Sequence, residues 1–238
     1  MPTRRAEADA PALSSVWLRP ARQDRGEPPL TRERIVEAAI DILDRDGASA
    51  LTMRRVAERL HVAAPSLYWH VKTKDDILDL AVDHVFAEID TGTPTAEKPW
   101  RHRIEDLALA WRSTLIRHPW VAPVAAARPS LGPNFLDRME TLQATLHQAG
   151  FTGADLSAAT WLLYNQIVGS ASTESTLDIS DHDRELGQQL LQDQADRYPT
   201  LAQQRYLDHE DWHADFTTGL RYLLDGLQAQ LRHSAHNS

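Results

Sequence analysis

Residues 52–74 read TMRRVAERLHVAAPSLYWHVKTK. The stretch holds two short apolar patterns with a break between them. Val56, Ala57 and Leu60 share one helical face, and Leu67 and Val71, four apart, share another. His61-Val62-Ala63 leaves room only for a tight turn. Thr52 is suited to cap the first helix, and Pro65 sits where the first turn of the second tolerates a missing N–H. Two short helices across a tight turn form a helix-turn-helix. Val56, Leu60, Val62, Leu67 and Val71 supply its small core, with Ala57 where the helices cross.

The other side chains of the stretch have no place in that core. Tyr68, Trp69 and His70 stand side by side, and Arg54, Arg55, Arg59, Lys72 and Lys74 oppose only Glu58. Ala64, Pro65 and Ser66 are small enough to let a helix start approach base edges in a major groove. The Tyr68 hydroxyl, His70 and the lysines can reach phosphates. The plainer alternative is a helical bundle whose rings only pack.

Upstream, Thr31 opens a helix whose Ile35, Ala38, Ala39, Ile42 and Leu43 fall on one face, stopped by Gly47. Downstream, a helix over about 74–89 carries Ile77, Leu78, Ala81, Val82, Val85, Phe86 and Ile89 as a stripe. TGTPTAEKP, residues 91–99, breaks the pattern. Helices are then expected over about 100–117, 120–127, from near Phe135 to Gly150, 155–177, 184–197 and 208–232. No strand alternation and no repeat is present. The expected fold is all-α. A helix-turn-helix domain spans 30–76, and a larger helical domain spans 77–232, with 74–89 as the connecting helix and 233–238 as a tail. Residues 1–29 mix Pro, Ala, Arg and acids without period and read as a disordered or partly ordered arm. Acids interrupt Arg19, Arg22 and Arg25, which favours a solvated tail over a DNA-clasping one.

The 238 residues include no cysteine, which excludes disulfide and thiolate chemistry. No apolar run is long enough to span a bilayer, and the N-terminus lacks a signal-peptide core, so a cytoplasmic location is expected. The net charge is −9, but residues 1–74 balance to +3 and the remainder to −12. The acidity belongs to the larger domain, away from the basic stretch. The ten glycines are scattered singly and build no phosphate-binding loop. HEDWH at 209–213 matches the zinc-protease pattern H-E-x-x-H, with His209 and His213 as ligands and Glu210 as base. A catalytic zinc needs a third protein ligand. The match sits among Asp208, Asp211 and Asp215 at the start of an amphipathic helix, where acids complement the helix dipole.

LTMRRVAERLHVAAPSLYWHVKTKDDILDLAVDHV, residues 51–85, resembles the DNA-binding domain of the tetracycline-repressor (TetR) family. The likeness covers about 31–89, is carried by the Leu-Tyr-Trp-His-Val-Lys-x-Lys run, and is strongest to the tetracycline repressor's own branch. It implies DNA contacts from Thr52, Arg54, Pro65, Ser66, Tyr68, Trp69, His70 and Lys74. Arg55 and Lys72 join them on charge alone, and Ala64 by its place at the helix start. His61 stands where the family usually has Gly, and Ala64 where the branch carries a polar base reader.

HPWVAPVAAARPSLGPN (118–134), WLLYNQIVGS (161–170) and FTTGLRYLLDGL (216–227) are similar to that branch's ligand-binding and dimerisation domain. The resemblance implies a buried small-molecule pocket and a four-helix dimer interface built from about 155–177 and 208–232. The expected interface residues are Gly169, Ser170, Phe216, Gly219, Leu220, Leu223, Gly226 and Leu227, unless that seam packs within its own subunit. The expected pocket residues are Trp111, Trp120, Phe135, Met139 and Trp161, with His118, Asn134, Tyr164 and Asn165 as polar neighbours. His84 and His118 lie near the segments that hold a drug–magnesium complex in the branch, but no stretch reproduces that signature. No cofactor and no obligatory metal are expected. The reading is a non-enzymatic, ligand-responsive repressor, a homodimer on palindromic operator DNA released by a small molecule. A zinc hydrolase and a purely structural dimer are the alternatives.

Overall fold

In the computed structural model, residues 29–90, 98–127, 130–177, 179–204, 207 and 211–236 are described. The expected N-terminal arm therefore lies outside the described residues, apart from Pro29. Among them the structure is all helical. The first helix, α1 (Arg32–Asp46), starts where Thr31 Oγ1 accepts the N–H of Arg34 at 3.3 Å. It ends where Gly47, at φ 75°, returns its N–H to the Leu43 carbonyl at 3.0 Å. Its buried face is wider than the five expected residues, because Val36 and Ile40 are also buried.

After a 3₁₀ turn at Ala48–Ala50 come α2 (Met53–Arg59) and α3 (Ala64–Leu67). Thr52 caps α2 by accepting the Arg55 N–H at 3.1 Å. Val56, Leu60, Leu67 and Val71 are buried as expected, whereas Val62 is only half-buried. His61 adopts φ 56° in the turn. The second helix of the motif is shorter than the sequence suggests. Tyr68, Trp69 and His70 belong to the turn that follows it.

The connecting helix α4 (Lys74–Ala87) opens on a reciprocal capping box. Thr73 Oγ1 accepts the Asp76 N–H at 3.0 Å, and Asp76 accepts the Lys72 and Thr73 N–H groups at 2.8 and 3.2 Å. The Lys72 N–H first, then the Thr73 hydroxyl, which donates to Asp76 Oδ1 at 2.8 Å, hold the Asp76 carboxyl below its ordinary value. Ile77, Leu78, Ala81, Val82, Val85 and Phe86 face inward, and α4 packs on α1.

The larger body contains α5 (Trp100–Arg117), α6 (Val121–Ala127), α7 (Pro133–Ala149), α8 (Gly153–Thr176), α9 (Asp181–Asp193), α10 (Pro199–Gln203) and α11 (Trp212–His236). α5 lies against α7 and α8, α11 lies on α8, and α4 and α6 touch each other. The helix expected over 184–197 is α9, which starts and ends earlier than expected, and a further short helix, α10, follows it. Ser180 caps α9 earlier, by accepting the Asp183 N–H at 3.1 Å, and Pro199 starts α10. Gln188 and Gln192 on α9 then bond the Ala202 carbonyl, at 3.3 and 3.0 Å.

Arg112 is the one charged side chain of α5 in the core, at 4% exposure. Its Nε donates to Ser170 Oγ at 3.0 Å, and its guanidinium pairs with Glu174 and donates to the Trp212 carbonyl at 3.2 Å. It also lies over the Phe216 ring at 4.8 Å. One cation thus ties α5, α8 and α11 together.

Candidate functional site

The outward side of α2, α3 and the following turn holds the residues expected to meet DNA. Trp69 is 90% exposed and Tyr68 55% exposed. Burying such rings is a main source of stability, so a ring left in water here serves something other than packing. Thr52, Pro65 and Lys72 are exposed, and Ala64, Ser66 and His70 are half-buried. Arg54 is exposed and pairs with Glu58 at 2.7 Å, one turn along α2. Such a surface pair is weak and easily exchanged for a phosphate.

Two expected cations are engaged within the fold. Lys74 Nζ donates to the Ala48 carbonyl at 3.0 Å, which fixes the start of α4 to the 3₁₀ turn. Arg55 pairs with Asp46 and donates to the Ala50 carbonyl at 3.2 Å. Arg59 does likewise with Asp41 at 2.6 Å.

The expected pocket residues separate into two groups. Trp111, Phe135, Tyr164 and Trp161 form one aromatic cluster, joined by Phe86. Trp111 meets Phe86, Tyr164 and Phe135 edge-to-face at 5.5, 5.8 and 6.4 Å. Trp111 is fully buried and its Nε1 has no hydrogen-bond partner among the described residues, while Trp161 is half in solvent at 53%. Burial pushes the Tyr164 phenol above its ordinary value, so it stays a neutral donor. Met139 is half-buried and Asn165 exposed.

His118 and Trp120 do something else. His118 bridges two carboxylates, with Nδ1 2.8 Å from Asp44 and Nε2 3.2 Å from Glu88. Trp120 Nε1 donates to the same Asp44 oxygen at 2.7 Å, and Arg117 reaches Glu88 at 3.1 Å. The end of α5 is thereby fastened to α1 and to the last turn of α4. Burial raises the Glu88 carboxyl, but Arg117 and His118 outweigh it and the net shift is downward. Asp44 and Glu88 escape a sequence reading because they lie 74 and 30 residues from His118.

Asn134 and Phe135 form a second joint on α4. Asp83 accepts from Asn134 Nδ2 at 2.9 Å and from the Phe135 N–H at 3.0 Å, so it caps the start of α7. A Cβ on Gly132 would collide with that carboxylate, so glycine permits the close approach.

The expected dimer residues also divide. Phe216, Leu220 and Leu227 are buried inside the chain's own core, together with Leu224, and Leu223 is only half-buried. The seam of the last helix thus turns inward in the expected register, except that Leu224 takes the buried place expected for Leu223. Gly169 and Gly226 are exposed, with open space where a Cβ would stand. Gly219 and Ser170 are half-buried, Gly219 facing Gln166 and Ser170 held by Arg112. Trp161, Leu162 and Tyr222 are exposed apolar residues of α8 and α11.

His213 is exposed, and His209 and Glu210 lie outside the described residues. Among the described residues no three His, Asp or Glu side chains gather as metal ligands, and no helix is long and apolar enough to cross a membrane.

A helix-turn-helix set on a connecting helix, with a larger all-helical body pinned to it by polar joints, defines a DNA-binding regulator with a separate sensing domain. The family of bacterial regulatory proteins, tetR family, matches residues 35–81, and the tetracyclin repressor-like C-terminal domain matches 93–231. The chain belongs to the TetR family of transcriptional regulators, which are DNA-binding transcription factors and not enzymes. It is 44% identical to an HTH-type transcriptional regulator of Saccharopolyspora erythraea, over 92% of this chain and 93% of that protein. It is 32% identical to the HTH-type transcriptional repressor DrrR1 of Streptomyces coeruleorubidus, over 92% and 85%. Among solved structures, apo ActR of Streptomyces coelicolor aligns with TM-score 0.78 and 28% identity, over 87% of this chain and 99% of that one. ActR in complex with actinorhodin aligns with TM-score 0.75 and 28% identity, over 85% and 99%.

Proposed function

We propose that this protein is a cytoplasmic repressor that binds a palindromic operator as a homodimer and leaves it when a small molecule occupies the larger domain. The observation that carries the DNA reading is the solvent exposure of Trp69 and Tyr68 beside Arg54, Pro65, Ser66 and Lys72. In this reading α3 enters the major groove, and Tyr68, His70 and the cations meet phosphates. Thr52 and Trp69 complete the contact surface. Arg55 and Lys74 hold the motif in shape as well as adding to the positive field.

A dimer follows from the geometry of operators. Two recognition helices must stand about 34 Å apart, one turn of DNA, to read both half-sites. The exposed face of α8 and α11, with Trp161, Tyr222, Gly169 and Gly226, is the surface offered to a second copy. The effector acts by population shift, because it binds a conformation in which that spacing is wrong. α4 is the lever, since it carries the DNA-binding motif at one end and the Asp83 and Glu88 joints along its length. The relative solved with actinorhodin bound supports a small-molecule effector.

The test is selection of a random duplex library on the purified protein, followed by salt titration of the enriched sequence. A palindrome with steep salt dependence is the expected result. Ser66→Arg and Tyr68→Ala are each expected to weaken binding to it about tenfold or more, the value of one lost contact, with the thermal melt unchanged. Sequence-blind, weak binding by the wild type would sink the reading.

A further inference from the structure

A cavity of about 320 Å³ lies between α4, α6 and the turn that leads into α7. That size is within the range of small-molecule pockets. Val82, Val124, Leu131 and Phe135 give it apolar walls, and Asp79 and Asp83 give it two carboxylates. None of its described lining residues is Lys, Arg or His.

Asp83 is half-buried, and both of its hydrogen-bond donors, Asn134 Nδ2 and the Phe135 N–H, are neutral. Among the described residues no basic side chain pairs with it. A carboxylate has about four acceptor positions, so capacity remains. A negative charge held beside apolar walls costs free energy until a cation joins it. The carboxylate is also held still. Gly132 packs against it so closely that no side chain fits there, and α7 starts from it.

We propose that this cavity receives the effector through a protonated amine that binds Asp83. The apolar part of the ligand rests on Val82, Val124 and Phe135. The inference depends on the repressor reading only in calling the ligand an effector. The site and its preference for an organic cation stand on the cavity itself. Asp83 also joins the DNA-side helix to the sensing body. The carboxylate that takes the ammonium is therefore the one that holds α4 to α7.

The experiment is calorimetry on the full chain with three probes of one shape: 1-naphthylmethylammonium, 1-naphthalenemethanol and 1-naphthoate. The ammonium is expected to bind roughly tenfold more tightly than the alcohol, the value of one charge-assisted hydrogen bond. The naphthoate is expected to bind least. Asp83→Asn keeps an oxygen for the Phe135 N–H, so it is expected to fold, and it should reduce the ammonium to the level of the alcohol. Leu131→Lys is a second variant. Leu131 is 76% exposed, so its replacement leaves the core intact while placing a competing cation at the mouth. It should weaken the ammonium more than the alcohol. Equal binding of all three probes, binding of none, or a preference that survives Asp83→Asn overturns the proposal. Operator binding, read on the same samples, separates the two claims. A wild type that selects a palindrome but shows no charge preference loses only this inference. One that shows the preference but selects no operator loses the repressor reading instead.

Discussion

His61 holds φ 56° in the turn of the DNA-binding motif. A left-handed conformation costs a non-glycine residue about 1 kcal/mol. His61→Gly is therefore expected to raise stability by up to that amount, less the entropy glycine adds to the unfolded chain. A thermal melt checks it, and a lower melting temperature would show that the imidazole is worth more than the strain. This turn was legible in the sequence, because a three-residue break between two apolar patterns leaves no other geometry. The exposure of Trp69 was legible for the same reason: Leu67 and Val71 already fill the inward positions. The roles of Arg55 and Lys74 were not. Charge alone marks them as free to meet phosphate, but their partners, Asp46 and the Ala48 carbonyl, come from another element. Asp83 was missed altogether, since nothing local marks an acid on α4 as the cap of a helix some 50 residues on.

The connecting helix shows how one element gathers both kinds of information. Its start is written locally: Thr73 and Asp76 sit three apart and satisfy each other's backbone. Its end is not local, because Glu88 is held by Arg117 and His118 from α5. Both carboxyls titrate below their ordinary values of 3.8 and 4.5. A depressed carboxyl contributes stability that is fully present above its unfolded value and is lost as pH falls through the folded one. The protein should therefore lose stability as pH drops through and below those values. Thr73→Ala removes the cap, with an expected cost of about 1 kcal/mol near neutral pH, and it removes one of the bonds that depress Asp76. Its stability should consequently fall less steeply in acid than that of the wild type. Parallel slopes in denaturant titrations over a pH series would show that Asp76 is held by the Lys72 and Thr73 N–H groups alone.

For the molecule as a whole, the chief question is which apolar surface is spent inside the chain and which is left for a partner. In the sequence Phe216, Leu220 and Leu227 fall on one apolar stripe, which the family resemblance places at a dimer seam. Periodicity shows that a stripe exists, not what covers it. In the structure Arg112 and α8 cover it: the guanidinium lies over Phe216, and Leu220, Leu224 and Leu227 sit in the core. The face that remains carries Trp161, Tyr222 and two glycines with open space beside them, Gly169 and Gly226. A helix glycine costs up to about 1 kcal/mol relative to alanine, and among the described residues nothing stands within 4 Å of where a Cβ would be on either. The proposed dimer would account for both, through close approach of a second chain. Gly226→Arg adds a long cation at a point with open space among the described residues, so the monomer should keep its helicity and melt. Sedimentation is expected to show the dimer lost. Operator affinity should fall with it by several orders of magnitude, because one recognition helix then reads one half-site. A dimer that survives Gly226→Arg would move the interface to another face of α8 and α11 and leave the two glycines without a physical account.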